Sequence, residues 1–276
     1  MSRLFFLFLF SQVVFGVGGQ SSNTCPVCAC NCICNLLIEA VNDEDVQQSK
    51  SNNAIKASNN ETQSLADRVS KPSNCLEAAA NTMKSGIHHI QVGVSDVRVF
   101  CEEGVDFGGW IVIQRRQSNS VDFDRNWQNY KDGFGDLTGS FWIGLDNLHA
   151  LTSSCEQELY IQMESIDGKK YYARYSSFLI GTESESYALQ KLGDYNGNAG
   201  DALTAHLGMK FRTYDHDCGS FFFIAGGWWS NYCKVSHLNG QYGSYLSWEG
   251  INENLSFTQM MIRPTPKCFR QLLLRN

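Results

Sequence analysis

The chain has 276 residues, 43% of them hydrophobic, and carries a formal charge of −6. That length allows one or two domains with a real core, and an acidic protein without a basic stripe disfavours nucleic-acid binding, which needs clustered Lys and Arg against phosphate. Eleven cysteines imply disulfides if the chain is exported, and the odd count leaves at least one sulfur free or bridged to another molecule.

Residues 4–18 read LFFLFLFSQVVFGVG behind Arg3, with Gly18 and Gly19 at the far end. The pattern predicts a cleaved secretory signal over 1–19. It is shorter than the roughly 20 residues a spanning helix needs and lacks a basic stop-transfer flank. A secreted, extracellular protein with no membrane insertion is expected. Residues 20–35 hold Cys25, Cys28, Cys30, Cys32 and Cys34 within CPVCACNCIC. Cys-x-x-Cys is a usual zinc half-site, yet no second half-site follows, and cysteines two apart on an extended segment point to opposite sides. Bridging between molecules is favoured over metal binding or local loops, which makes this an oligomerisation segment. Residues 36–73 are rich in Ser, Asn, Gln and charge. Leu36, Leu37, Ile38, Val41 and Val46 suggest a short amphipathic helix, but no heptad persists, and a polar flexible linker is expected. Asn60-Glu61-Thr62 is a glycosylation sequon.

From Asn74 the composition becomes globular. Trp110–Arg116 (WIVIQRR) reads as a strand, and residues 159–178 read as two strands around an Asp167-Gly168 hairpin turn. Phe123, Trp127 and Tyr130 have helical spacing in a segment ended by Gly133, and FWIGLDNLHALT (141–152) is expected to form another helix. Glycine punctuates nearly every connection. The expected class is α+β, with a twisted, mainly antiparallel sheet, short helices and long loops.

Three stretches, GGWIVIQRR (108–116), DGFGDLTGSFWIGLDNLHALT (132–152) and YNGNAGDAL (195–203), set glycines between aromatic and acidic residues. Together they closely resemble the fibrinogen C-terminal domain, the globular module of ficolins, angiopoietins, tenascins and invertebrate lectins. The resemblance runs from Asn74-Cys75 to Ile262-Arg263-Pro264, giving a domain over 74–266 and a tail over 267–276. It implies two disulfides, Cys75 with Cys101 and Cys218 with Cys233, the second bracketing a Gly226-Gly227-Trp228-Trp229 run similar to the family's GAWW. Cys155 and Cys268 have no place in that framework; pairing with each other, with the N-terminal cysteines or with a neighbouring molecule all stay open.

The family usually carries a calcium site that opens with Asp-x-Asp before the second bridge. Asp215 and Asp217 keep those carboxylates, but Cys218 follows at once, and the carbonyl-bearing loop is missing. Two carboxylates fall short of the six to eight oxygens calcium takes, so no cofactor is expected with certainty and calcium is doubtful. The alternative is a solvated turn whose carboxylates cap nearby amides. The family's lectin members hold acetyl groups beside the second bridge, which maps a ligand face onto Tyr232, Cys233, Lys234, Tyr242, Tyr245 and Trp248. Lys234 replaces a common His, and the stretch from Tyr242 to Trp248 is shorter than usual. The same aromatics would equally close the core around the bridge. Asn254-Leu255-Ser256 is a second sequon near this face.

None of the six histidines sits in HExxH, and neither a Gly-x-Ser-x-Gly elbow nor a phosphate-binding glycine loop occurs. His149 and His206 are read as hydrogen-bonded structural residues, and Asp194 and Asp201 as holders of backbone amides around the NGNAG turn. Arg115 and Arg116 read as a strand end rather than a polyanion site. A non-enzymatic recognition protein is expected, a disulfide-linked oligomer binding glycans or microbial and cell surfaces. The alternative is a signalling or matrix ligand that docks on a receptor protein.

Overall fold

The computed structural model describes residues 71–216, 225–230, 236–244 and 246–268. The expected signal sequence, the five N-terminal cysteines, the linker and Asn60 lie outside the described residues, as do Asp217, Cys218, Tyr232, Cys233, Lys234 and Tyr245.

One antiparallel sheet organises the head. In sequence order its main strands are β1 (Gly86–Val92), β2 (Ser95–Glu102) and β3 (Trp110–Arg116), then β6 (Gln157–Ser165), β7 (Lys170–Ile180), β8 (Leu189–Leu192) and β14 (Leu255–Pro264). Their order across the sheet is β1-β2-β3-β14-β6-β7-β8, so the last strand of the sequence enters the middle. Its placement follows from composition: LSFTQMMIRP supplies Met260, Met261 and Ile262, all fully buried. The Asp167-Gly168 turn joins β6 to β7 as the sequence predicts, with Gly168 at φ 81°. Two-residue strands β4 (Phe134–Gly135) and β5 (Phe141–Trp142) attach beside β3, and β9 (Tyr195–Gly197) pairs with β7.

Helices are few and short. α1 (Cys75–Ala78) is capped by the Asn74 side chain, and α2 (Trp127–Asp132) is capped by Asn126 and ended by Gly133. α3 (Leu145–Ser154) lies against β7. The expected helix over 141–152 is thereby corrected at its start. Phe141 and Trp142 are strand, paired with Arg115 and Gln114, and the helix begins only after Gly144, whose φ of 99° admits no ordinary side chain. Phe141 and Trp142 are almost fully buried, which extended backbone at the sheet accommodates and a solvent-facing first turn would not.

The remaining short strands belong to the loop-rich end: β10 (Phe211–Arg212) pairs with β11 (Trp228–Trp229), and β12 (Ser236–His237) with β13 (Ser247–Trp248). Here the core is aromatic. Tyr130 lies 5.1 Å from Phe134, 5.7 Å from Trp142 and 5.3 Å from Phe211, while Trp229 lies 5.2 Å from Phe211 and 5.4 Å from Trp228. Gly227 passes between these rings, and a Cβ there would stand 2.6 Å from Phe211 and 3.0 Å from Tyr130. His206 is fully buried beside them. Its Nδ1–H donates to the Trp229 carbonyl, and Nε2 accepts from the Ser236 amide at 3.2 Å. Burial lowers its pKa below the ordinary histidine value.

Two disulfides clasp the described residues. Cys75 bonds Cys101 with Cα atoms 5.4 Å apart, joining α1 to β2. Cys155 bonds Cys268 with Cα atoms 5.6 Å apart, tying the end of α3 to the segment after β14. The alternatives left open by the sequence for this second pair reduce to an intrachain bridge.

Three outcomes are expected. Gly227→Ala should destabilise the head by about 1–3 kcal/mol through overpacking, read as a lower urea midpoint with unchanged slope. Serine at both Cys155 and Cys268 should cost roughly 2–4 kcal/mol, since the bridge closes a long loop; an unaltered melting temperature would refute the pairing. Because folding depresses the His206 pKa, its contribution is complete above the unfolded value and is lost as pH falls below it. The denaturation midpoint should therefore drop between about pH 7.5 and about pH 5, and His206→Gln should reduce that drop.

Candidate functional site

A cleft of about 460 Å³ opens beside the aromatic end of the core. Arg116, Asp122, Phe123, Asp124, Gln241 and Tyr242 line it, with Asn119, Val121, Ala225 and Gly240. Arg116 is the last residue of β3, and its partner Thr258 on β14 fixes its place. Its neighbour Arg115 turns to the other side of the sheet, donating to Gln259 Oε1 at 2.6 Å and the Leu137 carbonyl at 2.9 Å. The two arginines thus lie at a strand end, as the sequence suggests, and form no basic patch.

Arg116 is 1% exposed. Nη1 donates to the carbonyls of Gly240 at 2.6 Å and Leu238 at 3.3 Å, and the guanidinium carbon lies 3.8 Å from the Phe123 ring centroid. Its Nε meets no acceptor among the described residues. Burial lowers the pKa to about 10, partly offset by Tyr130, Tyr242 and Asp122. The group therefore remains a cation at neutral pH.

The opposite charge stands in the turn that leads to α2. Asp122 Oδ1 accepts from the Asp124 amide at 2.9 Å, a local Asx bond that bends the backbone. Asp124 Oδ1 accepts from the Gly226 amide at 3.3 Å, which anchors the start of the Gly-Gly-Trp-Trp run to this turn. Both acidic residues are exposed. Tyr242 is half-buried, its hydroxyl shared between the carbonyls of Ser256 at 2.7 Å and Gln117 at 3.2 Å.

Of the six residues mapped as a ligand face, only Tyr242 and Trp248 are described. Trp248 is not an exposed aromatic platform: it is 2% exposed and its indole donates to the Gly200 carbonyl at 2.9 Å. Its ring fills the space beneath the YNGNAG turn, where burying apolar area outweighs display to solvent. Trp248 is thus a buried residue of the core. Tyr242 lines the cleft. Asn254 is exposed, and its sequon leads into the cleft wall through Ser256, whose carbonyl accepts from Tyr242.

Asp215 acts as a cap. Its Oδ1 accepts from the Trp127 amide at 2.9 Å and the Thr213 hydroxyl at 2.7 Å, at the start of α2. Among the described residues no three His, Cys, Asp or Glu side chains converge as a metal cage; Asp217, the other carboxylate of the expected calcium pair, lies outside the described residues. His149 Nδ1 bonds the Ile180 carbonyl at 3.1 Å, and His237 Nε2 bonds the Ala225 carbonyl at 2.8 Å. Asp201 Oδ1 accepts from the Tyr175 hydroxyl at 2.8 Å and the Thr204 amide at 3.1 Å. Asp194 instead uses its backbone, exchanging bonds with Ser176. Sequence reasoning missed Asp122, Phe123, Asp124 and Gln241. The one available signal was VDFD, four residues beyond a strand that ends in two arginines.

No helix among the described residues is long and apolar enough to cross a membrane. The family model for the C-terminal globular domain of fibrinogen beta and gamma chains matches residues 71–265. Fibrinogen C domain-containing protein 1 of Homo sapiens is 42% identical over 190 residues, covering 60% of this chain and 41% of that protein. Angiopoietin-related protein 2 of Mus musculus is 37% identical over 231 residues, covering 75% of this chain and 47% of its own length. The protein thus spans less than half the length of these curated relatives. The fibrinogen-like globe domain of human ANGPTL2 superposes with a TM-score of 0.67 at 38% identity, covering 71% of this chain and 100% of that one. With the matched region, the central β14, the buried Trp pair and the Cys75–Cys101 bridge in place, the protein belongs to the fibrinogen C-terminal domain family.

Proposed function

We propose that this protein is a secreted, non-enzymatic recognition molecule whose head binds glycans or the surfaces that carry them, joined into disulfide-linked oligomers through Cys25, Cys28, Cys30, Cys32 and Cys34. The observation that carries this reading is the cleft of Arg116, Asp122, Asp124 and Tyr242. It is open, polar and edged by an aromatic ring, which suits the hydroxyls and apolar faces of a surface ligand. Its titratable groups offer no nucleophile and base within hydrogen-bond reach of each other, which acid–base catalysis needs. Single heads would bind weakly, and linkage of several would supply avidity. The expected segments, a signal over 1–19, cysteines over 20–35, a linker over 36–73 and the head over 74–266, fit export and tethering of such heads.

A second reading, an extracellular ligand for a receptor protein, draws on the burial of Trp248 and the engagement of Asp215 as a cap. Trp248 belongs to the lectin-type face that the family resemblance implies, and Asp215 to the calcium pair it implies. The likeness to angiopoietin-related protein 2 is consistent with it.

Secreted protein run on gels without reductant should migrate as oligomers that collapse to monomer on reduction, and removal of residues 25–34 should abolish the difference. On glycan arrays the oligomer should bind in a pattern weakened by Tyr242→Ala. Specific capture of a cell-surface protein, with no glycan retained with or without calcium, would favour the receptor reading.

A further inference from the structure

The two edges of the main sheet are finished differently. At the β8 edge the Leu189 amide donates to the Met209 carbonyl at 2.9 Å, and the Leu189 carbonyl accepts from the Gly208 amide at 2.7 Å. That edge is covered by its own chain. At the other edge, β1 pairs only with β2, along its whole length and without a register shift. The Gln91 amide points outward, to the Pro72 carbonyl at 2.7 Å. Outward and inward groups alternate along a strand, so the amides and carbonyls of His89 and Ile87 also face away from β2. Among the described residues nothing bonds them. Both residues are exposed, Ile87 by 40% and the His89 side chain by 63%. Proteins usually blunt such an edge with proline, lysine, a bulge or a very short strand. GIHHIQV has none of these.

We infer that the β1 edge pairs antiparallel with β1 of a second copy of this chain, about a two-fold axis at His88. In that register Ile87 of each copy exchanges both backbone hydrogen bonds with His89 of the other. Pairing stops at Ile90, because Gln91 is already held by Pro72. On the face that carries Ile87 and His89 no like charges oppose one another: His89 has Arg98 as its β2 neighbour, and the Ile87 it meets has Phe100. The register also carries the Met83 end of one copy toward the hairpin tip of the other, and Met83 and Val94 are 72% and 100% exposed. A second copy is the occupant because of where the chain enters the head. Lys71 pairs with Asp96 at 3.0 Å and Pro72 lies against Gln91, so the segment arriving from the N-terminal cysteines joins the head at this edge. Copies linked through those cysteines hold their β1 edges at a local concentration on the order of millimolar. A pairing this short buries too little to hold free heads together, and the tether supplies the difference. The inference therefore rests on the disulfide-linked assembly proposed above.

Cysteine mapping of the full-length secreted protein tests the register. Facing residues that exchange no backbone bonds have Cα atoms about 4.5 Å apart, within disulfide range. His88→Cys should therefore bond between copies at that position. His89→Cys, whose facing residue is Ile87, should do so at least about tenfold less. No bond at position 88 in a variant that melts normally overturns the inference. Hydrogen exchange gives a second reading. In the oligomer the Ile87 and His89 amides should exchange at least about tenfold more slowly than in a dilute variant with serine at Cys25, Cys28, Cys30, Cys32 and Cys34. Free exchange in the oligomer overturns the inference. Protection that survives in the dilute serine variant assigns the edge to another segment of the same chain and overturns it too. Ile87→Pro deletes one outward donor, and Ile87→Lys places a charge on the edge. Either should remove the protection of His89 while the disulfide ladder on gels stays unchanged, so the test survives if one variant folds poorly. A ladder that persists without bonding at position 88 sinks this inference alone. A native protein without the ladder removes the assembly beneath it, and bonding at position 88 then decides the edge by itself.

Discussion

Gly227 threads between the rings of Phe211 and Tyr130, and the loop-rich end of the head can close only because no side chain stands there. The rings that meet around it come from α2, β5, β10 and β11, segments with little regular hydrogen bonding of their own. Aromatic burial supplies the stabilisation that longer helices or strands provide elsewhere. The closure also sets direction. With Gly227 fixed, Trp228 and Trp229 fall into the core, and the Trp229 carbonyl is positioned to accept from His206. His206 in turn receives the Ser236 amide, so one imidazole couples the tryptophan pair to the strand that leads into Leu238 and Gly240. Those two residues hold Arg116. The cleft is therefore an outgrowth of the aromatic core, one hydrogen-bonded step removed from it.

Comparison of the arginines separates scaffold from site. Arg115 is buried against Phe100 and Phe141 and finds acceptors in Gln259 and Leu137. Arg263 lies 4.0 Å over Trp110 and clamps the Asp106–Gly108 turn by donating to two of its carbonyls, with Glu158 as counter-charge. That clamp holds Asp106 and Phe107 at positive φ, a conformation that persists only where neighbours over-determine it. Arg174 completes the network with Asp106 and Glu158. In each of these cases the side-chain donors end in the protein's own acceptors. Arg116 is the most deeply buried of them, and its Nε meets no acceptor among the described residues.

Much of the architecture is legible in the residues. WIVIQRR forms β3 because a central strand buried on both faces reads as a continuous apolar run, and Asp167-Gly168 forms the hairpin turn because its glycine supplies the positive φ. The start of α3 escapes such reading because Phe141 and Trp142 satisfy either a helix or a strand by hydrophobicity alone. Only the left-handed Gly144, whose Cβ would meet the backbone of Lys131 and Asp132, decides the boundary. Trp248 escapes it for a related reason. An aromatic residue in a glycine- and serine-rich stretch looks displayed, and nothing local reveals that the Gly200 carbonyl, far back in the sequence, waits for its indole N–H. The cleft residues Asp122 and Asp124 resemble any polar turn. Their meaning depends on Gly226 and Gly240 arriving from more than a hundred residues away, a juxtaposition that sequence spacing does not encode.

The cysteines carry the argument from head to assembly. Two bridges within the described residues use four of the eleven, Cys75 with Cys101 and Cys155 with Cys268, and eleven less four leaves seven. Seven sulfurs cannot pair completely within one molecule. If Cys218 and Cys233 close as the family resemblance implies, the remaining five all belong to CPVCACNCIC. The intrachain bond of Cys155 and Cys268 therefore narrows where a bond to another molecule can form, because it withdraws both head cysteines that had no family partner. In the oligomer proposed above, an odd set of sulfurs on a short segment would supply the covalent linkage and the head the ligand contact. Such a division would let several heads of the proposed oligomer act on one surface, where effective concentration compensates for weak single contacts.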